Sequence, residues 1–194
     1  SALNLEGDVL IFIDMDDLIA EDNIITHLEA LQDSDISYGD MNIIDENKKY
    51  LNTNLFDNTN LPDCVTDYKP LLEGNFMGLS NTAIQATSLK KYFMDVPQHL
   101  LATDWWLYTM LLYQGCTAKK TRCKVASYRQ HESNVLAHKN YINLNTFINT
   151  CKIAEEHFSS LPKLKDFKVA LKQVKEVKQL ALNYPKETMK LLSS

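Results

Sequence analysis

The sequence predicts an α/β domain followed by a helical tail. Three observations carry that expectation. A short apolar run, Val9-Leu10-Ile11-Phe12-Ile13, ends abruptly in the acids Asp14, Asp16 and Asp17. Short runs of β type then alternate with stretches of helical periodicity. From about residue 140 onward the pattern is helical alone. The expected division is 1–139 for the α/β part and 140–194 for the helical extension.

The elements follow in order. Val9 to Ile13 is rich in β-branched and aromatic residues, which predicts a strand buried on both faces. Residues 21–32 predict an amphipathic helix, with Ile24, Ile25, Leu28 and Leu31 on its apolar face and Asp22 as N-cap. Ile36 to Tyr38 and Met41 to Ile44 predict short strands, the second turned by Asp45-Glu46-Asn47 toward Tyr50. Residues 52–70 are rich in Asn, Asp, Thr and Pro and predict a long loop. Asn75 to Ile84 predicts strand and turn, and Ser88 to Tyr92 a short helix. Residues 104–114 predict a strongly apolar helix closed by Gly115, with Asp104 placed well for the helix dipole. Cys123 to Tyr128 predicts a strand. In the tail, Phe167, Ala170, Leu171, Val174, Val177 and Ala181 recur at helical steps between lysines, punctuated by Pro162 and Pro185.

Composition limits the function classes. The 194 residues are 45% hydrophobic and 23% charged, as in ordinary globular domains. No apolar run approaches the length of a membrane span. Cys64, Cys116, Cys123 and Cys151 show no CxxC spacing, so neither a zinc site nor a disulfide framework is implied, and reduced thiols in a cytoplasmic protein are the simplest reading. The net charge of −5 is divided unevenly. Residues 1–139 hold 11 Lys and Arg against 20 Asp and Glu, which disfavours direct nucleic-acid binding. Residues 140–194 hold 9 Lys against 5 acids. Those lysines suit a solvated helix face first, and a peripheral contact with an anionic membrane second.

The acid knot is the place for chemistry. Three carboxylates within four residues repel one another unless something positive sits among them, most simply a divalent metal with oxygen ligands such as Mg2+ or Mn2+. In open α/β sheets, ligands bind outside the carboxyl ends of strands. Two motif readings fit VLIFIDMDD: the DxD of nucleotide-sugar glycosyltransferases and the DxDx(T/V) of haloacid dehalogenase-type phosphatases. The second expects Thr or Val where Leu18 stands, and a later acidic pair that this chain lacks. A phosphatase would use Asp14 as nucleophile and Asp16 as acid/base. A third alternative is a non-catalytic fragment that binds a sugar or a partner.

Further segments favour the first reading. Ala2-Leu3-Asn4-Leu5-Glu6-Gly7-Asp8 leads into the strand. Asp35 to Asp40 (DISYGD) and Ile43 to Lys48 (IIDENK) come next, then Phe76 to Gly78. Thr103 to Leu107 (TDWWL) opens a helix ending at Gly115, and Tyr128 to Asn134 (YRQHESN) closes the series. In order and spacing over residues 2–137 the chain resembles the bacterial family 2 glycosyltransferases, inverting and of the GT-A type with a Rossmann-like mixed sheet.

The resemblance implies a metal-dependent, inverting transfer of a sugar from a nucleotide-diphosphate sugar, UDP-linked most commonly, to a glycan or lipid-linked acceptor. Asp16, Asp17 and His131 would serve the metal, and Asp14, Asp17 and Arg129 the nucleotide sugar. Asp104 would be the general base. Trp105 and Trp106 would pack the helix, with one of them bordering the acceptor. Thr103 departs from the family, where Glu usually precedes the base. A homo-oligomer and a location at the inner face of the plasma membrane are compatible with the resemblance. Members also carry, ahead of the acid strand, the elements that contact base and ribose. The expectation is therefore of a chain lacking that N-terminal part, whose acid strand has no sheet neighbour on one side, and which alone binds donor poorly and transfers no sugar.

Overall fold

The computed structural model describes residues 7–56, 61–92, 95–130 and 143–192. The described residues of Ser1–Val96 and Leu107–His131 form one compact unit, and those of Pro97–Trp106 and Glu132–Ser194 form a second.

The first unit holds two mixed sheets. In chain order its elements are β1 (Val9–Ile11), β2 (Leu18–Ile19), α1 (Asn23–Ala30), β3 (Ile36–Tyr38), β4 (Met41–Ile44), β5 (Tyr50–Asn54), β6 (Cys64–Val65), β7 (Thr82–Gln85) and α2 (Ala86–Lys91). Helix α3 (Thr103–Tyr113) follows, its residues up to Trp106 assigned to the second unit and those from Leu107 to the first, then β8 (Ala118–Lys120) and β9 (Ala126–Arg129). One sheet has the order β1-β7-β3-β8-β6, the other β2-β9-β4-β5. Strands β1 and β3 both run antiparallel to β7, and β8 runs parallel to β3. Strands β1, β3 and β8 therefore point the same way, and the loops after all three leave one edge of the sheet. Ile36, Tyr38, Ile84, Tyr108 and Leu111 are fully buried and form the centre of this unit.

Several expectations are corrected. Strand β1 is a half-buried edge strand of three residues rather than a strand buried on both faces, and Ile13 is exposed. Among the described residues β7 is its one strand neighbour. Helix α1 is turned away from most of its pattern: Leu31, at its C-cap, is buried as expected, but the other three apolar residues are not. Ile24, Ile25 and Leu28 are 59%, 51% and 41% exposed, whereas Asn23, Thr26 and His27 are buried. The buried polar groups have reasons to be there: Asn23 Nδ2 donates to Val125 O at 2.8 Å, and His27 Nδ1 meets Ser37 Oγ at 2.7 Å. Asp22 stands at the N-cap position but makes no side-chain cap bond. The stretch 52–70 contains the end of β5, β6 and a 3-10 turn at Lys69–Leu72. Strand β8, with the sequence AKK, lacks the apolar signal that marks a strand; parallel pairing with β3 creates it.

The second unit contains α4 (Leu144–Ser160), α5 (Lys165–Asn183) and α6 (Pro185–Leu192). A capping box starts α4: the Asn143 side chain accepts from Thr146 N–H, and Thr146 Oγ1 accepts from Asn143 N–H. Phe167, Ala170 and Ala181 of α5 are buried, as their periodicity predicts, while Val177 is exposed. No described helix is long and apolar enough to cross a membrane.

Candidate active site

The acid knot is a tight turn at the carboxyl end of β1. Asp17 N–H donates to Asp14 O at 3.1 Å, closing the turn and leaving Met15 fully exposed at its tip. Two residues distant in sequence fix its shape. The buried Ser80 hydroxyl accepts from Asp14 N–H at 2.9 Å and donates to the Asp17 carboxylate. Arg129, at the end of β9, donates its backbone N–H to Asp17 Oδ1 at 3.0 Å and its Nε–H to Asp16 O at 2.7 Å. Its Nη1 reaches Glu46 O at 2.9 Å in the β4–β5 turn.

The three carboxylates are consequently unlike. Asp17 is 7% exposed and faces inward. Burial pushes its carboxyl above the usual range; the hydrogen bonds from Ser80 and Arg129 oppose that, and the negative charges of Asp16 and Asp14 add to it. Asp14 is exposed and Asp16 is half-buried. Asp17 is therefore a brace of the turn, and Asp14 and Asp16 are the carboxylates nearer solvent. Arg129 directs Nε and Nη1 to backbone carbonyls, so it too shapes the turn.

Asp14 and Asp16 supply hard oxygen donors. Mg2+ commonly binds through one or two protein carboxylates, its remaining positions filled by water and substrate phosphates. The donor set fits such an ion completed by a diphosphate. It does not by itself make a protein cage: among the described residues no group of three or more His, Cys, Asp or Glu side chains is placed to hold a metal. His131, the further ligand expected from sequence, lies outside the described residues.

Asp104 sits in the first turn of α3, where its Oδ1 accepts from Trp105 N–H at 2.8 Å. It belongs to the second unit, whereas the acid turn belongs to the first. Trp105 and Trp106 are 8% and 5% exposed. Trp105 stacks on His157 with centroids 4.1 Å apart and meets Phe158 edge-on. Trp106 Nε1–H donates to Ser160 O at 3.4 Å. Both indoles brace the start of α3 against α4, and their burial argues against a role in holding sugar.

Sequence reasoning missed the role of Ser80, which sits beside the buried Asn81. Asn81 Nδ2 donates to Gly39 O at 2.8 Å and Phe76 O at 3.0 Å, and its Oδ1 accepts from Gly78 N–H at 2.7 Å. The pair locks the 76–78 segment to the end of β3 and holds the acid turn. Two short polar side chains at the mouth of a strand were the available signal.

No protein-family model and no curated protein matches the chain. Solved structures do. A crystal structure of S. aureus TarS 1-349 in complex with UDP-GlcNAc matches with a TM-score of 0.54 at 15% identity, over 95% of this chain and 52% of that one. Another of S. aureus TarS 1-349 matches with a TM-score of 0.51 at 13% identity, over 95% and 50%. The chain thus spans about half the length of the structures it matches. At this identity the likeness is one of fold, and the fold of this chain is glycosyltransferase-like, a mixed α/β architecture.

Proposed function

We propose that this chain serves the transfer of a sugar from a nucleotide-diphosphate sugar, UDP-linked by preference, to a hydroxyl of a glycan or lipid-linked acceptor. The observation that carries the reading is the braced acid turn at the carboxyl end of β1, with Asp17 drawn inward and Asp14 and Asp16 nearer solvent. It occurs on a fold shared with a protein crystallised with UDP-GlcNAc. A divalent cation bound there would neutralise the charge of the departing diphosphate. Asp14 and Asp16 would hold it, while Ser80, Asp17 and Arg129 keep the turn from relaxing. Asp104 would accept the acceptor's proton, which favours inversion by a single displacement. The GT-A type and the family 2 resemblance belong to the same proposal.

Titration of the chain with UDP in the presence of Mg2+, followed by NMR because binding is expected to be weak, tests the reading. Shifts centred on residues 14–17 that require the metal, and that vanish in Asp16→Ala, are the expected result. Metal-independent binding, or binding indifferent to Asp16→Ala, would overturn it. Hydrolysis of p-nitrophenyl phosphate dependent on Asp14 would instead establish the phosphatase alternative.

A further inference from the structure

The acidic first unit contains one strongly basic stretch, Lys119-Lys120-Thr121-Arg122-Cys123-Lys124. It forms the end of β8 and the loop after it, so it leaves the sheet on the same edge as the acid turn. A cavity of about 250 Å3 opens there, lined by Asp40, Phe56, Lys120, Arg122, Cys123 and Lys124 among others. Three cationic side chains thus border one cavity. Among the described residues the acid bordering it is Asp40, which is engaged by the backbone: its Oδ1 accepts from Met41 N–H at 2.7 Å and Phe56 N–H at 3.2 Å.

The present partners of these cations are replaceable. Lys120 Nζ donates to Leu61 O at 3.0 Å and pairs with Asp63 at 2.7 Å, a carboxylate that is 90% exposed. Arg122 pairs with Glu29 at 3.2 Å, with side chains 64% and 42% exposed. Lys124 Nζ donates to the neutral Asn42 at 3.0 Å. Exposed ion pairs contribute about 0–1 kcal/mol, so an anion entering the cavity competes against weak contacts. The guanidinium supplies a planar fork and the lysines two point charges, a combination suited to phosphate oxygens. The loop is firmly based: Thr121 N–H donates to Tyr38 O at 2.8 Å, Thr121 Oγ1 to Cys123 O at 2.8 Å, and Val125 N–H to Asp40 O at 3.1 Å.

We infer that this cavity is an oxyanion subsite that takes a phosphate group of the acceptor, apart from the donor's diphosphate. The sheet order puts β8 three strands from β1, so a strand spacing of about 4.8 Å separates the two loops by about 14 Å along the edge. That is too far for one diphosphate to fill both places comfortably. It suits an acceptor whose phosphate lies a sugar unit or two from the reacting hydroxyl. Assignment to the acceptor rests on the proposed function; the phosphate site itself does not.

Inorganic phosphate is the probe, titrated at constant ionic strength with chloride as control. The expected result is saturable binding reported by the amides of residues 120–124. It should weaken at least tenfold in the triple variant Lys120→Ala, Arg122→Ala, Lys124→Ala, with the wild-type circular dichroism retained. In a Cys64→Ser background, phosphate should also slow the reaction of Cys123 with a thiol reagent, which reads the cavity without altering any cation. Unchanged binding in the triple variant, or equal effects from chloride, would overturn the site. Repeating the titration with Mg2+ and UDP separates the two proposals. Additive binding supports an acceptor subsite, whereas competition would make the cavity part of the donor site and overturn the assignment. Phosphate binding that persists when UDP fails to bind would leave the phosphate site standing and count against the proposed function.

Discussion

Gly39→Ala should be among the most damaging small substitutions in the first unit. A Cβ at Gly39 would overlap Thr121 Oγ1 and lie 2.8 Å and 3.0 Å from the two Val125 methyls. The wall it meets cannot retreat easily. Val125 is fully buried, its carbonyl accepts from Ala20 N–H and Asn23 Nδ2, and its N–H donates to Asp40 O. Thr121 is tied to Tyr38 and Cys123. Overpacking a fixed wall costs about 1–3 kcal/mol, and the close approach of three atoms places this case near the top of that range. With a urea dependence of about 2 kcal/mol per molar, the midpoint should fall by roughly 1–1.5 M. The assay should combine far-UV circular dichroism with hydrogen exchange of β3 and β9 amides, because both tryptophans lie in the other unit. Val125→Ala in the Gly39→Ala background should recover part of the loss, a coupling that a double-mutant cycle isolates. A single variant within about 0.5 kcal/mol of wild type, or a double variant showing no coupling, would refute the steric argument.

Other outcomes follow from the same geometry. Ser80→Ala removes the group bridging Asp14 and Asp17, and should weaken Mg2+-dependent UDP binding without abolishing it; an unchanged titration would show that the turn holds its shape alone. Asp104→Asn, in any preparation that transfers sugar, should lower kcat by roughly 10²- to 10⁴-fold while leaving UDP binding intact; a parallel loss of donor binding would count against a general base. Burial lowers the pKa of His157 to about 3 and of His27 to about 4. Both rings are neutral in the folded state. Their contribution is complete above the unfolded value near 6.5 and is lost as pH falls from there toward the folded values, by about 1.4 kcal/mol per pH unit for each ring. His157→Phe keeps an aromatic ring against Trp105 and should reduce the acid sensitivity of the second unit, read by tryptophan fluorescence in urea at pH 7 and pH 5. The sign is opposite for Asp17. Its raised pKa means that stability declines as pH rises through and above the unfolded carboxylate value of 3.8, and Asp17→Asn should flatten that part of the profile.

Much of the fold was legible because the relevant signals are local. Helix α3 with its closing Gly115 at φ +96°, the β4–β5 hairpin with Lys48 at φ +66°, and the tail helices all follow from periodicity and turn chemistry. The acid turn was legible as a place, since three carboxylates after an apolar run need an explanation. Strand β8 was not, because AKK becomes a strand only through its partners. The face of α1 was misread for the same reason: its amphipathic pattern is genuine, but hydrogen bonds from Asn23 and His27 to β-structure decide which side is buried.

Read residue by residue, the sequence places an acidic turn after the first strand of an α/β domain with a basic helical tail. Charge clustering and hydrophobic periodicity are properties of neighbouring residues, so they survive being read one residue after another. The difference among the three acids arises from long-range contacts. Asp17 is turned inward by Ser80, 63 positions away, and by Arg129, 112 positions away, while Trp105 and Trp106 are withdrawn into the helical unit. The tertiary structure also brought four basic residues of β8 and its loop to the same sheet edge as the acids. Contacts between residues so distant in the chain have no local signature, because they exist only once the strands have chosen their order.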